Sequence, residues 1–204
     1  MLYLIHGRRN LGKLLATGQL TSYGSGAGVD DGALRKGIVK AYTVLTLGQY
    51  TGNTNITINS KTDVHANACV FDHNTGLMWS RTTTKSTVIG PASNGKLPWT
   101  TTGADATAEG IFPYVAAANA ASLAGYTDWR IPNDLELVNL RDMEATTAAP
   151  NAAAFPSWPT DDYVWSGTTR PSDTSVAVLV HFYLGSVSGN IGVATYYAAL
   201  VRGG

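Results

Sequence analysis

The chain has 204 residues, enough for one domain or one domain plus an extension. Apolar residues make up 44% of it and charged residues only 14%, against about 25% in ordinary domains, so a sizeable core is within reach while the surface must be largely Ser, Thr, Asn and Gly. The 14 cations cancel the 14 anions with no basic block or stripe, which excludes nucleic acid as an expected partner, and no apolar run approaches the ~18 residues of a membrane span.

Residues 1–20 do not read as a secretion signal, because Leu2-Tyr3-Leu4-Ile5 is short and His6, Arg8, Arg9 and Lys13 place charge directly after it. The expectation is synthesis in the cytosol without an N-terminal address. Residues 1–35 are Gly-rich and predict an extended arm or loop, with one helical turn over 11–15. Residues 38–47 form a strand-like run and 55–59 alternate with period two, so a β-hairpin with its turn at 49–54 is predicted. A second hairpin comes next, 68–72 and 77–80 around the turn His73-Asn74-Thr75-Gly76. Cys69, the single cysteine, cannot form an internal disulfide and reads as a small buried apolar residue. Residues 81–104, rich in Thr, Ser and Gly, predict a long surface loop, and 107–123 a helix. Gly125 ends that helix. Pro132 and Asn133 then start another over 134–142, with Asn133 and Glu136 spaced as a capping box and Leu135, Val138 and Leu137 turned inward. After an Ala/Pro-rich loop over 145–162 carrying Phe155 and Trp158, strands are predicted over 163–168, 176–184 and 192–201, with Gly185-Ser186 turning the chain. Two helices enclosed by hairpins and long loops make an α+β domain.

Asn74-Thr75-Gly76-Leu77-Met78-Trp79, Gly125-Tyr126-Thr127-Asp128-Trp129-Arg130-Ile131-Pro132, Leu135-Glu136-Leu137, Val164-Trp165-Ser166-Gly167-Thr168 and Val201-Arg202 together resemble the Lcl C-terminal domain family, named after the end domain of a collagen-like bacterial adhesin. Thr17-Gly18-Gln19, Thr21-Ser22-Tyr23 and Asp30-Asp31-Gly32 resemble the segment that often precedes that domain. The likeness covers residues 17–35 and 68–203 and leaves 38–62 aside. It implies a C-type-lectin-like fold with two helices and small antiparallel sheets, preceded here by an extended or β-hairpin N-terminal arm. It also implies binding rather than catalysis, in adhesins or phage virion proteins.

The calcium-dependent sugar motifs of lectins with that fold, Glu-Pro-Asn or Gln-Pro-Asp with Trp-Asn-Asp, do not occur. Asp161, Asp162 and Asp173 are the nearest carboxylate group, and their spacing builds no calcium site. Formylglycine-generating relatives need two cysteines, and this chain has one. His6, His65, His73 and His181 lack a nucleophile at recognisable spacing; His73 is expected at the surface, His181 facing outward, and the 136–141 charges on a solvated helix face. Gly24, Gly26 and Gly28 lack the strand-before, helix-after context of a phosphate loop. No catalytic residue, cofactor or metal is therefore expected. Trp79, Trp129, Arg130 and Trp165 read as structural core. Trp99, Trp158, Tyr163, Arg170, Asp173, His181, Tyr183, Tyr196 and Tyr197 read as a candidate ligand-binding set, because Tyr and Trp offer large area with few torsions and stack on sugar rings.

The sequence thus reads as residues 1–62, an anchoring or oligomerising arm, and 63–204, a lectin-like domain binding host-surface glycan or protein from a virion surface. Other virion proteins and sister subunits, a trimer by family analogy, are the expected partners. The alternatives are a purely structural capsid-decoration protein and a secreted-type bacterial adhesin domain.

Overall fold

A computed structural model describes residues 15–22, 30–34, 37–45, 49, 52–58, 60–64, 69–87, 89–99, 109–144, 147–191 and 194–203. The expectations for 1–14, for the Gly-rich 23–29, for His65 and for 100–108 lie outside the described residues. Among the described residues, four small antiparallel sheets accompany two longer helices and one single-turn helix, an α+β arrangement. One sheet has the order β1 (Tyr42–Leu45), β4 (Cys69–Asp72), β5 (Met78–Ser80), β11 (Val201–Arg202), and β2 (Asn55–Ile58) pairs with β3 (Lys61–Val64). A third sheet is β7 (Tyr163–Arg170), β8 (Asp173–His181) and β9 (Ser186–Ile191), and the short β6 (Leu97–Pro98) pairs with β10 (Thr195–Tyr196). The helices are a single turn α1 (Asp31–Leu34), α2 (Ile111–Ala120) and α3 (Asp134–Leu140).

The expected 38–58 hairpin does not form. β1 instead pairs with β4, Tyr42 opposite Asp72 and Leu45 opposite Cys69, while β2 turns directly into β3 with Ile58 opposite Lys61. Two residues close that turn, and Ser60 takes φ 63°, the positive φ such turns require. β4, with Cys69 and Val70 fully buried, is completed on its open side by β1. The 62/63 boundary falls inside β3.

Helix α3 confirms the capping box: Asn133 Oδ1 accepts from Glu136 N–H at 2.8 Å, and Glu136 Oε2 accepts from Asn133 N–H at 2.8 Å. Its phase corrects the expectation. Leu137 and Leu140 are buried, whereas Leu135 is 67% exposed. The cap holds Glu136 toward Arg130, and Leu135 lies on the opposite side of so short a helix from Leu137.

Residues 81–99 are not a surface loop. Thr83, Thr84, Thr87, Ile89, Leu97 and Trp99 are all buried. The threonines tolerate this because they are paired: Thr84 Oγ1 accepts from Ala198 N–H at 2.9 Å, and Thr87 Oγ1 donates to Thr84 O at 2.9 Å. The expected 192–201 strand is also replaced. Ala198, Ala199 and Leu200 are buried and run between sheets, with Leu200 N–H donating to Ser80 Oγ at 3.0 Å.

Two adjoining core clusters result. One gathers Trp99, Trp129 and Trp165 with Ile111, Tyr114 and Ile56. The other gathers Trp79, Phe155 and Trp158 with Leu137, Val164 and Phe182. Both the Trp79 and the Trp158 indoles stand edge-to-face to Phe155.

Candidate functional site

The Gly125-to-Leu137 block is the frame on which the surface is built. Trp129 is sealed by Asn119, whose amide accepts from Trp129 N–H at 2.7 Å and donates to Trp129 O at 2.9 Å, while its indole N–H reaches Leu123 O at 2.9 Å. Arg130 grips Glu136 with two hydrogen bonds of 2.8 and 2.7 Å and donates to Gly203 O at 3.0 Å. Its backbone exchanges hydrogen bonds with Val201. The 136–141 charges are therefore not a free solvated face, since Glu136 is tied to Arg130 and the Arg141 side chain to the backbone of Val138 and Gly185.

From this frame a line of rings leads outward. Phe112 meets Trp99 at 5.1 Å between centroids, Trp99 meets Trp165 at 5.6 Å, and Trp165 meets Tyr196 at 5.1 Å. Tyr196 meets Tyr163 at 5.6 Å, and Tyr163 meets His181, its cross-strand partner, edge-on at 4.7 Å. The last three rings are partly exposed. Asn190 donates to the Tyr196 hydroxyl at 2.7 Å, and His181 Nδ1 accepts the Tyr183 N–H at 3.1 Å, which fixes the outer edge.

Beside the rings lie two ion pairs, Lys85 with Asp161 at 2.7 Å and Lys96 with Asp162 at 2.6 Å. Both ammonium groups stand over the Tyr197 ring, at 6.0 and 5.3 Å from its centre. The hydrogen bond to Asp162 raises the Lys96 pKa, and the hydrogen bond from Lys85 lowers that of Asp161. Burial, with Asp161 adding to it, raises the Tyr197 phenol. The carboxylates are thus committed to lysines rather than gathered for a cation. Asp173 sits apart, bonded to Ser175 at 2.6 Å, which lowers its pKa.

The candidate set divides accordingly. Tyr163, His181 and Tyr196 come together at one surface, with Tyr197 buried beneath the lysines. Arg170 and Asp173 pair at the opposite end of the β7–β8 hairpin, and Tyr183 is exposed on the β8–β9 turn. Trp99 and Trp158 are buried core residues, so their place in a ligand set is corrected. Trp99 closes on Trp165, and Trp158, 5% exposed, packs between Phe155 and Phe182. Lys85, Lys96 and Asn190 escaped the sequence reading because no local motif marks them; they meet the rings only through the tertiary fold. The arrangement offers aromatic edges, hydrogen-bond donors and acceptors and balanced charge, a surface suited to holding a polar ligand.

A family model described as the Lcl C-terminal domain matches residues 68–202. No curated protein matches the chain.

Proposed function

Since the chain belongs to the Lcl C-terminal domain family, we propose that it is a non-catalytic recognition module with a C-type-lectin-like fold, displayed on a virion surface and binding host-surface glycan or protein. The observation that carries this reading is the convergence of separate segments at the start of β7: Lys85 and Lys96 from residues 81–99 pair with Asp161 and Asp162 of the preceding loop, and Tyr163, the next residue, meets His181 and Tyr196 from two further strands. Partly exposed tyrosines beside ion-paired lysines stack on and hydrogen-bond to sugar rings or a protein surface with little loss of side-chain entropy. Self-assembly, as a trimer by family analogy, and contact with other virion proteins complete the proposal.

The test is binding of purified protein to a glycan array and to host cells. Lys85→Ala and His181→Ala should each weaken binding about tenfold, the scale of a modest hot spot, while leaving the melting temperature unchanged. Absence of binding on both supports would sink the reading. A second reading, a decoration protein without a ligand, draws on the edge strand β9: its run Ser186-Val187-Ser188-Gly189-Asn190-Ile191 contains no charge and no proline to discourage pairing with a neighbouring subunit.

A further inference from the structure

A cleft of about 390 Å³ opens where residues 16–20, Asp31 and residues 39–42 face Leu140, Asp142 and Asn151. It shares no residue with the aromatic face. Its two walls are fastened to each other: Met143 N–H donates to Thr17 O at 2.9 Å, Thr21 N–H donates to Glu144 Oε2 at 2.8 Å, and the Lys40 ammonium donates to Arg141 O. The volume matches small-ligand sites, which begin at about 300 Å³.

Its lining carries three kinds of chemistry. Leu20, Val39 and Leu140 supply an apolar wall. Lys40, Tyr42 and Asn151 supply donors. The lysine keeps two protons beyond its bond to Arg141 O. The Asn151 oxygen accepts the N–H groups of Ala153 and Ala154 at 3.0 and 3.1 Å, while its amide nitrogen has no partner among the described residues. Burial lowers the Lys40 pKa, and neighbouring Asp142 does not make up the deficit. Asp31 and Asp142 supply acceptors. Asp31 takes one bond from Thr17 and Asp142 Oδ1 takes Glu144 N–H at 3.1 Å, which leaves lone pairs on both carboxylates.

An anion alone would leave the two carboxylates unmatched, and a cation alone would leave the half-buried ammonium unmatched. We propose that the cleft binds a small zwitterion, a free α-amino acid with an apolar side chain, its carboxylate on Lys40 and Asn151, its ammonium on Asp31 and Asp142, and its side chain against Leu20, Val39 and Leu140.

The experiment titrates the ¹⁵N-labelled full chain with L-leucine, with isoamylamine, which lacks the carboxylate, and with isocaproate, which lacks the amine. Leucine should give saturable amide shifts at Val39, Lys40 and Asn151, and each analogue should bind about tenfold more weakly, as expected for loss of one charged hydrogen-bonding group. Asp31→Asn should weaken leucine about tenfold while leaving isocaproate unchanged; Lys40→Gln should weaken leucine while leaving isoamylamine unchanged. That crossed pattern is one a general loss of structure would not produce. No saturable shift with leucine at millimolar concentration, or analogues that bind as well as leucine, overturns the proposal.

Discussion

Glu136 serves two groups at once, the backbone of Asn133 and the guanidinium of Arg130. Burial raises its pKa, but the hydrogen bonds from Arg130 and from Asn133 together outweigh it and hold the carboxyl below its ordinary 4.5. A depressed carboxylate adds stability that is present above its unfolded value and is lost as pH falls through the folded one. Acid melts should therefore show stability declining below about pH 4.5, with a shallower decline in Glu136→Gln. Arg130→Met should cost about 1–2 kcal/mol in urea denaturation: the half-exposed ion pair itself is worth little, and most of the loss is a carboxylate left short of a partner. Cys69 makes a different residue-scale prediction. It is fully buried, and burial pushes its thiol up to about 12 despite Arg202. Thiol labelling near neutral pH should consequently follow the rate of global opening rather than a local reaction; fast labelling under native conditions would contradict this placement.

At the scale of elements, α3 and the β1–β4 pairing carry the tests. Leu137→Ala should destabilise the protein by about 2–5 kcal/mol, whereas Leu135→Ala should stay within about 0.5 kcal/mol, measured by the same denaturation. Equal effects would mean that the helix phase is wrong. A chain beginning at residue 63 removes β1 and β2, and with them the buried Ile56 and Ile58 and the partner of β4. Each isoleucine contributes about 1.5–3 kcal/mol, so the pair, with the lost β1–β4 pairing added, reaches the lower end of the stability of an ordinary domain, about 5–15 kcal/mol. The truncated chain should melt far lower or aggregate, as read by circular dichroism and sedimentation. The cap of α3 and the hairpin of β4 and β5 were legible because their determinants lie within a few residues. The partner of β1 was not, because two strands of similar propensity compete and the winner is set by which buried strand needs an edge covered.

For the whole molecule, frame and face should separate. Arg130 ties α3 to the C-terminal strand, so its loss should lower stability and binding together, whereas changes at Lys85 or His181 should lower binding alone. Circular dichroism melts paired with binding curves on the same preparations would show the difference; parallel losses at all three positions would mean that the rings and lysines are only part of the frame. Family membership and the α+β class were readable from the chain itself: Trp79, Trp129 and Trp165 occupy blocks whose pattern is local, and each is buried. Burial of the other aromatics was not readable. Trp99 and Trp158 sit in segments that look like polar or Ala/Pro-rich loops, yet each closes a core cluster. A loop rich in threonine can lie inside when its hydroxyls find backbone partners more than 100 residues away, as Thr84 does with Ala198. The sequence alone therefore determined the α3 cap, the β4–β5 turn and the framing tryptophans, which depend on neighbours along the chain. Only the tertiary structure decided which aromatics are core, which ring lies beneath Lys85 and Lys96, and where β1 pairs, because those outcomes depend on contacts between residues far apart in the chain.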